Sequence, residues 1–318
     1  MMQFDRISLG RQAKEFGFVR DTFEKVCRLA NILAFMESDA LLSNALALKG
    51  GTAINLTIFD LPRLSVDIDM DYSKNVSREV MLQERQEITS HIRKHMVALG
   101  YSPSKKSKQY HALDSFVFEY INAGGMKDNL KIEINYMLRC HVFPISHRDV
   151  CLPWNNDRIT VLSVSPMEIF SAKAVALMNR SAARDLYDMY NLQKSGLFDE
   201  SQKANFKKCI MFYSAITSEN TPEHFDFSGF GKISAQKIKT DLTPVLQRAE
   251  HFDFSMAKTK VEEYLSGILL PEGDLSFWLA FARGEYKPEL LFDDFEILSR
   301  IAEHPMAQWK CSRKATGA

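Results

Sequence analysis

Nine residues, Leu64-Ser65-Val66-Asp67-Ile68-Asp69-Met70-Asp71-Tyr72, alternate without a break. Successive side chains of a β-strand point to opposite faces. Val66, Ile68 and Met70 therefore share one face, and Ser65, Asp67, Asp69 and Asp71 share the other. A strand divided in this way has to lie in a sheet, with its apolar face on a core and its carboxylates turned outward. Three acids in alternation repel one another and are unfavourable without a cation. Residues i and i+2 of a strand stand roughly 6.5–7 Å apart at Cα, so Asp67 and Asp69 can converge on Mg²⁺, which takes carboxylate and phosphate oxygens. The alternative is a solvated strand face studded with acids. Asp71, at the strand end, is expected to be a solvated bystander.

The residues just upstream sharpen this. Ala45 to Lys49 is a short apolar run and reads as a buried strand, Gly50-Gly51 follows, and Thr52 to Phe59 reads as a short helix stopped near Pro62. Glycines carry no Cβ, so their N–H groups can approach a phosphate, and the helix that follows adds its positive end. A glycine pair alone is usually a turn. Its place between a strand and a helix, directly before an acidic strand, makes it a candidate nucleotide corner. Arg63 and Ser65 are candidate phosphate contacts. For Arg63 and Ser65 the competing reading is ordinary surface.

Further on, Asp21 to Met36 has helical apolar spacing, and Ser77 to Leu99 reads as a long helix capped by Ser77 and ended at Gly100. Ser115 to Ile121 and Leu130 to Tyr136 read as strands joined by Asn122-Ala123-Gly124-Gly125, and Arg158 to Val164 as another. In the second of these, Lys131, Glu133 and Asn135 share the polar face. Glu133 is the candidate third metal carboxylate, against a surface glutamate paired with a lysine; Glu119 and Asp114 are lesser candidates. Ser165-Pro166-Met167-Glu168 reads as a capping box. After it strand signals fade, and helices are expected over Pro166–Asn179, Ala182–Lys194, Ser201–Ser214, Ser234–Leu246 and Met256–Ile268. The expected architecture is α+β (α/β): a mixed-sheet domain over 1–160, then a mostly helical domain over 161–318.

Bulk properties narrow the partners. The 40 basic and 40 acidic residues balance, so overall charge predicts no nucleic-acid or membrane partner. A local basic run, Lys105-Lys106-Ser107-Lys108-Gln109-Tyr110, can follow a phosphate backbone, although such runs are usually solvated loops. Five cysteines without a CxxC argue against a disulfide framework or a zinc knuckle and for a reducing cytoplasm. The spacing of Cys140, His141, His147 and Cys151 fits no common zinc pattern. No apolar run reaches the roughly 18 residues of a membrane span, and no signal peptide is expected.

Lys173, Arg180 and Arg184 are spaced seven and four apart. On one continuous helix they would form a stripe able to offset triphosphate charge. The plainer account is an exposed ion pair of Arg184 with Asp188, four residues on.

Taken together, Gly50-Gly51-Thr52-Ala53, Arg63-x-Ser65-x-Asp67-x-Asp69, and Ser165-Pro166-x-Glu168 leading to Lys173 and Arg184-Asp185-x-x-Asp188 resemble the AbiEii/AbiGii toxin nucleotidyltransferases of the DNA polymerase β-type superfamily. The resemblance runs from about residue 40 to 195, with a fainter trace at Lys239-Thr240-Asp241-Leu242. It implies a bilobed nucleotidyltransferase with the site in a cleft, acting as the toxin of a type IV toxin–antitoxin or phage-defence system. The expected partner is a winged-helix antitoxin encoded alongside. It implies transfer of NMP from an NTP to an acceptor, in some members the 3′ end of tRNA. By motif, Asp67 and Asp69 would hold two Mg²⁺ ions (Mn²⁺ as a substitute), Lys173 would meet the triphosphate, and Asp185, less surely Asp188, would complete the site. The superfamily often has Gly-Ser at the corner; here Thr52 would stand in. Transfer to a protein or small-molecule acceptor, or a non-catalytic nucleotide-binding module, are the competing readings.

Overall fold

In the computed structural model, which describes residues 5–155, 158–270 and 273–315, the apolar run becomes strand β1 (Leu46–Lys49) and the alternating stretch becomes β2 (Asp67–Tyr72). They belong to a mixed sheet with β3 (Ser102–Pro103), β4 (Lys108–Gln109), β5 (Leu113–Ile121), β6 (Lys127–Asn135), β7 (Ser146–Asp149) and β8 (Thr160–Ser163). The strand order is β3-β5-β6-β2-β1-β8-β7, with β4 paired to β5. β2 runs antiparallel to β1 and parallel to β6, which sets Asp67 level with Lys131 and Asp69 level with Glu133. The opposite face carries Ile68, Met70, Leu130, Ile132 and Ile134, all buried. Each such side chain contributes about 1.5–3 kcal/mol through burial, so the register that holds them inside also holds the acids together on the other face.

The helices of this unit are α1 (Arg6–Glu15), α2 (Arg20–Ser38), α3 (Ala40–Ala45), α4 (Gly50–Ala53) and α5 (Arg78–Ala98). The expected stripe of α2 is buried, including Phe23, Val26, Leu29 and Leu33. Ser77 caps α5, and Gly100 beyond it takes a left-handed φ of 86°. The helix after β1 starts at Gly50, two residues before its expected start, and widens into a π turn over Ile54–Ile58, closed by Phe59 N–H donating to the Ile54 carbonyl at 2.9 Å. The sequence pattern did not reveal α1, α3, β7 or the two-residue strands.

The second unit is helical: α6 (Pro166–Arg180), α7 (Ala183–Ser195), α8 (Glu200–Thr217), α9 (Ala235–Lys237), α10 (Phe254–Leu269), α11 (Ser276–Ala282), α12 (Phe295–Ile301) and α13 (Pro305–Ala315). α6 packs on α7 and α8, and α7 on α10, around Phe170, Leu186, Tyr187, Phe206 and Val261. The helix expected over Ser234–Leu246 is instead α9, a π turn (Ile238–Leu242) and a 3-10 turn (Thr243–Val245); Pro244 has no N–H to continue the ladder.

The units do not divide at a single point in the chain. The first comprises Met1–Arg139, Ile145–Val164 and Pro244–Glu250; the second comprises Cys140–Pro144, Ser165–Thr243 and His251–Ala318.

Candidate active site

Three residues turn the chain from β1 into α4. Lys49 is extended, and Gly50 takes φ +66°, a conformation that side-chain-bearing residues avoid. A Cβ on Gly50 would lie 2.8 Å from Oδ2 of Asp69. A Cβ on Gly51 would lie 2.8 Å from a terminal guanidinium nitrogen of Arg63 and 3.1 Å from Oγ of Ser65. The two glycines thus have separate tasks: one admits the carboxylate strand, the other admits Arg63 and Ser65.

The corner is braced from within. Asn55, fully buried, donates through Nδ2 to the Gly51 carbonyl at 2.7 Å and accepts from the Arg63 N–H at 3.2 Å. Thr52 is buried; its hydroxyl donates to the Asp67 carbonyl and lies 3.0 Å from Oγ of Ser65. Arg63, 1% exposed, donates to the Leu64 carbonyl at 2.9 Å. Thr52 and Arg63 are therefore internal props of the corner rather than surface. The strand begins at Asp67 and not at Leu64 because Leu64 N–H donates to the Val245 carbonyl at 2.8 Å and Arg63 bridges to Leu246.

Asp67 and Asp69 are half-buried on the polar face. Asp71 corrects the expectation of a solvated bystander: it is 3% exposed, and Lys49 Nζ stands 2.5 Å from its Oδ1. The cause is register. Ala47 of β1 and Asn135 of β6 flank Asp71 and close it in, while Lys49, level with Asp69, lends its ammonium along the face. Glu133 is half-buried, with Lys131 Nζ 2.9 Å from its Oε2. Burial pushes the Lys131 ammonium down, but Glu133, Asp67 and Asp69 outweigh burial and hold its pKa above the ordinary lysine value.

No three His, Cys, Asp or Glu side chains among the described residues are gathered so as to hold a metal ion, so Glu133 is not assembled with Asp67 and Asp69. The donor set still fits Mg²⁺. That ion commonly takes one or two carboxylates and draws its other ligands from water and substrate phosphate. Asp67 and Asp69, half-buried on one face, would supply the carboxylates. The lesser candidates are committed elsewhere: Asp114 is buried against Arg85 at 2.6 Å, and Glu119 accepts from the Ser104 hydroxyl at 2.5 Å.

In the helical unit the motif residues collect around Lys173 on α6. Its Nζ lies 2.6 Å from Asp185 and 3.1 Å from Asp188, both on α7 and both 1% exposed. Arg180 meets the other oxygen of Asp185 at 2.9 Å. Burial pushes the Asp185 carboxyl up, but Lys173 and Arg180 outweigh it and hold the pKa below the ordinary carboxylate value. Lys173, Arg180 and Arg184 do not share one helix, because Ser181 takes a left-handed φ of 55° and ends α6. Asp188 is not the exposed partner that its spacing from Arg184 suggests. Arg184 Nε donates to the Asp241 carbonyl at 2.7 Å, in the stretch of the fainter resemblance.

Ser165 and Pro166 open α6 as expected, but Glu168 does not act as a capping-box residue. It is buried, and its carboxylate accepts from the N–H groups of Val142 and Phe143 at 3.0 Å and from the Tyr213 hydroxyl at 2.5 Å. Lys49, Asn55 and Lys131 were not singled out from the sequence. Lys131 alone had a signal there, as a cation within the polar alternation beside Glu133.

The whole chain is similar in fold to MenT4, a nucleotidyltransferase toxin from Mycobacterium tuberculosis H37Rv, at a TM-score of 0.53 and 14% identity, over 98% of this chain and 99% of that one. The fold class is that of the nucleotidyltransferases. The family model "Nucleotidyl transferase AbiEii toxin, Type IV TA system" matches residues 32–269, and the chain belongs to that family. It is a nucleotidyltransferase toxin of a type IV toxin–antitoxin system. No curated protein sequence matches the chain. No helix among the described residues is long and apolar enough to cross a membrane.

Proposed function

We propose that this chain transfers NMP from an NTP to an RNA 3′ end, with tRNA as the acceptor, in the cytoplasm, and that a winged-helix antitoxin neutralises this activity. The observation that carries the reading is the close seating of Gly50 against Asp69, which sets the backbone of the corner beside two carboxylates of one strand. The N–H groups of Gly50 and Gly51 receive triphosphate oxygens. Asn55, Thr52 and Arg63 hold those N–H groups in place, so little rearrangement is needed when substrate arrives. Ser65 offers a hydroxyl at the rim. Within the helical unit, Asp185 and Asp188 fix the position of Lys173.

Asp67 and Asp69 would hold Mg²⁺, or Mn²⁺ in its place, and Glu133 becomes the third carboxylate once parted from Lys131. Divalent ions bound there would lower the pKa of the acceptor hydroxyl and offset the charge on departing pyrophosphate.

Asp67→Asn and Asp69→Asn, each near-isosteric, should each reduce labelled-NMP transfer about a hundredfold or more and remove growth inhibition. Toxicity that persists in both would overturn the proposal. Sequencing RNA 3′ ends after brief expression should show added nucleotides on tRNA. Label recovered on protein or on a small molecule would keep the chemistry and change the acceptor.

A further inference from the structure

Lys131 stands on the polar face with a partner, a level and a surrounding that together define a task. It lies level with Asp67 on the adjacent strand, its ammonium is 2.9 Å from Glu133, and it is half-buried. The second lysine of this face, Lys49, is committed to the buried Asp71. Lys131 therefore shares its face with Asp67, Asp69 and Glu133, and its ammonium is drawn to all three. A divalent ion entering at Asp67 and Asp69 has to displace the influence of that ammonium, because two cations on one small carboxylate face repel. A lysine has three rotatable donors on a flexible stem, and phosphate is the acceptor that arrives with the substrate.

We infer that Lys131 couples metal binding to nucleotide binding: it holds the carboxylate face for itself when nucleotide is absent and moves onto the triphosphate when nucleotide and metal arrive together. This rests on the proposed metal-and-NTP reading of the site. The consequence is that the empty enzyme takes up metal weakly and the nucleotide-bound enzyme takes it up well. By linkage, metal and nucleotide each strengthen the other by the same factor.

The test is a binding cycle on the full chain. Mn²⁺ affinity is measured by electron paramagnetic resonance with and without non-hydrolysable analogues of the four NTPs, for wild type, Lys131→Met and Lys131→Arg. In Lys131→Met, Mn²⁺ should bind the nucleotide-free protein on the order of tenfold more tightly. The strengthening of Mn²⁺ binding by nucleotide should shrink by a similar factor. Lys131→Arg should restore both, which a purely structural part for Lys131 does not predict. A nucleotide-induced gain in Mn²⁺ affinity that is equal in wild type and Lys131→Met overturns the inference and leaves the metal reading standing. Absence of Mn²⁺ binding in all three, with transfer intact in Asp67→Asn and Asp69→Asn, overturns both.

Discussion

Gly50 and Gly51 look interchangeable in the sequence and are not. At Gly50 an alanine meets two penalties, a left-handed backbone that disfavours a side chain by roughly 1–2 kcal/mol and a Cβ 2.8 Å from Asp69 Oδ2. Gly50→Ala should push Asp69 off its position, lower thermal stability by a few degrees and reduce NMP transfer at least about tenfold. Gly10→Ala is the control. A Cβ on Gly10 within α1 meets nothing within 4 Å, so it should leave transfer unchanged and stabilise the helix by up to about 1 kcal/mol. Melting curves and labelled transfer on the three proteins check both statements. The acids of this face were legible because alternation is a local signal. The pairing of Asp71 with Lys49 was not, because it depends on a register between strands separated by a corner and a loop, which no local pattern encodes.

At the scale of elements, the α6–α7 junction shows how spacing misleads. Seven-and-four spacing suggested one basic stripe, yet a single left-handed residue, Ser181, turns the chain so that α7 returns its acids to α6. Lys173→Met would leave two buried carboxylates without their shared cation and should destabilise the helical unit by about 3–5 kcal/mol. The depressed Asp185 pKa carries a pH signature. A carboxyl lower in the folded than in the unfolded state contributes stability above its ordinary pKa of 3.8, and that stability is lost as pH falls through the lower folded value. Denaturant melts followed by circular dichroism should therefore hold steady near neutral pH and weaken in acid. In Lys173→Met, which removes the main lowering influence, the folded-state pKa rises toward the unfolded value and this acid loss should shrink. A pH profile unchanged by the substitution would remove Lys173 as the cause.

For the whole molecule, formal charge sums to zero, so any attraction for RNA has to be local. The run Lys105-Lys106-Ser107-Lys108 is exposed at its three lysines and tied down at its serine. The Ser107 hydroxyl accepts from Val117 N–H at 2.9 Å and lies 3.1 Å from the Val117 carbonyl, and Ser104 is tied to Glu119. The three lysines and Tyr110 are thereby presented outward on a fixed knuckle. Replacing all three lysines with glutamine should weaken tRNA binding and reduce the slope of log affinity against log salt by about 0.7 for each phosphate no longer neutralised. An unchanged slope would exclude the knuckle from the RNA surface. The α/β class and the family were legible at this scale because glycine corner, acid strand and helix motif occur in a fixed order. The return of Pro244–Glu250 to the sheet unit was not legible, since an isolated bridge has neither period nor length.

That return bears on synthesis. The carboxylates lie in the first quarter of the chain, but Leu64 N–H and Arg63 find their partners at Val245 and Leu246. On the ribosome these two ties can form only after those residues have emerged. Fragments released from interrupted translation before that point would carry the acids without these ties, so for a toxin the order of the chain delays potency until Val245 and Leu246 have been made.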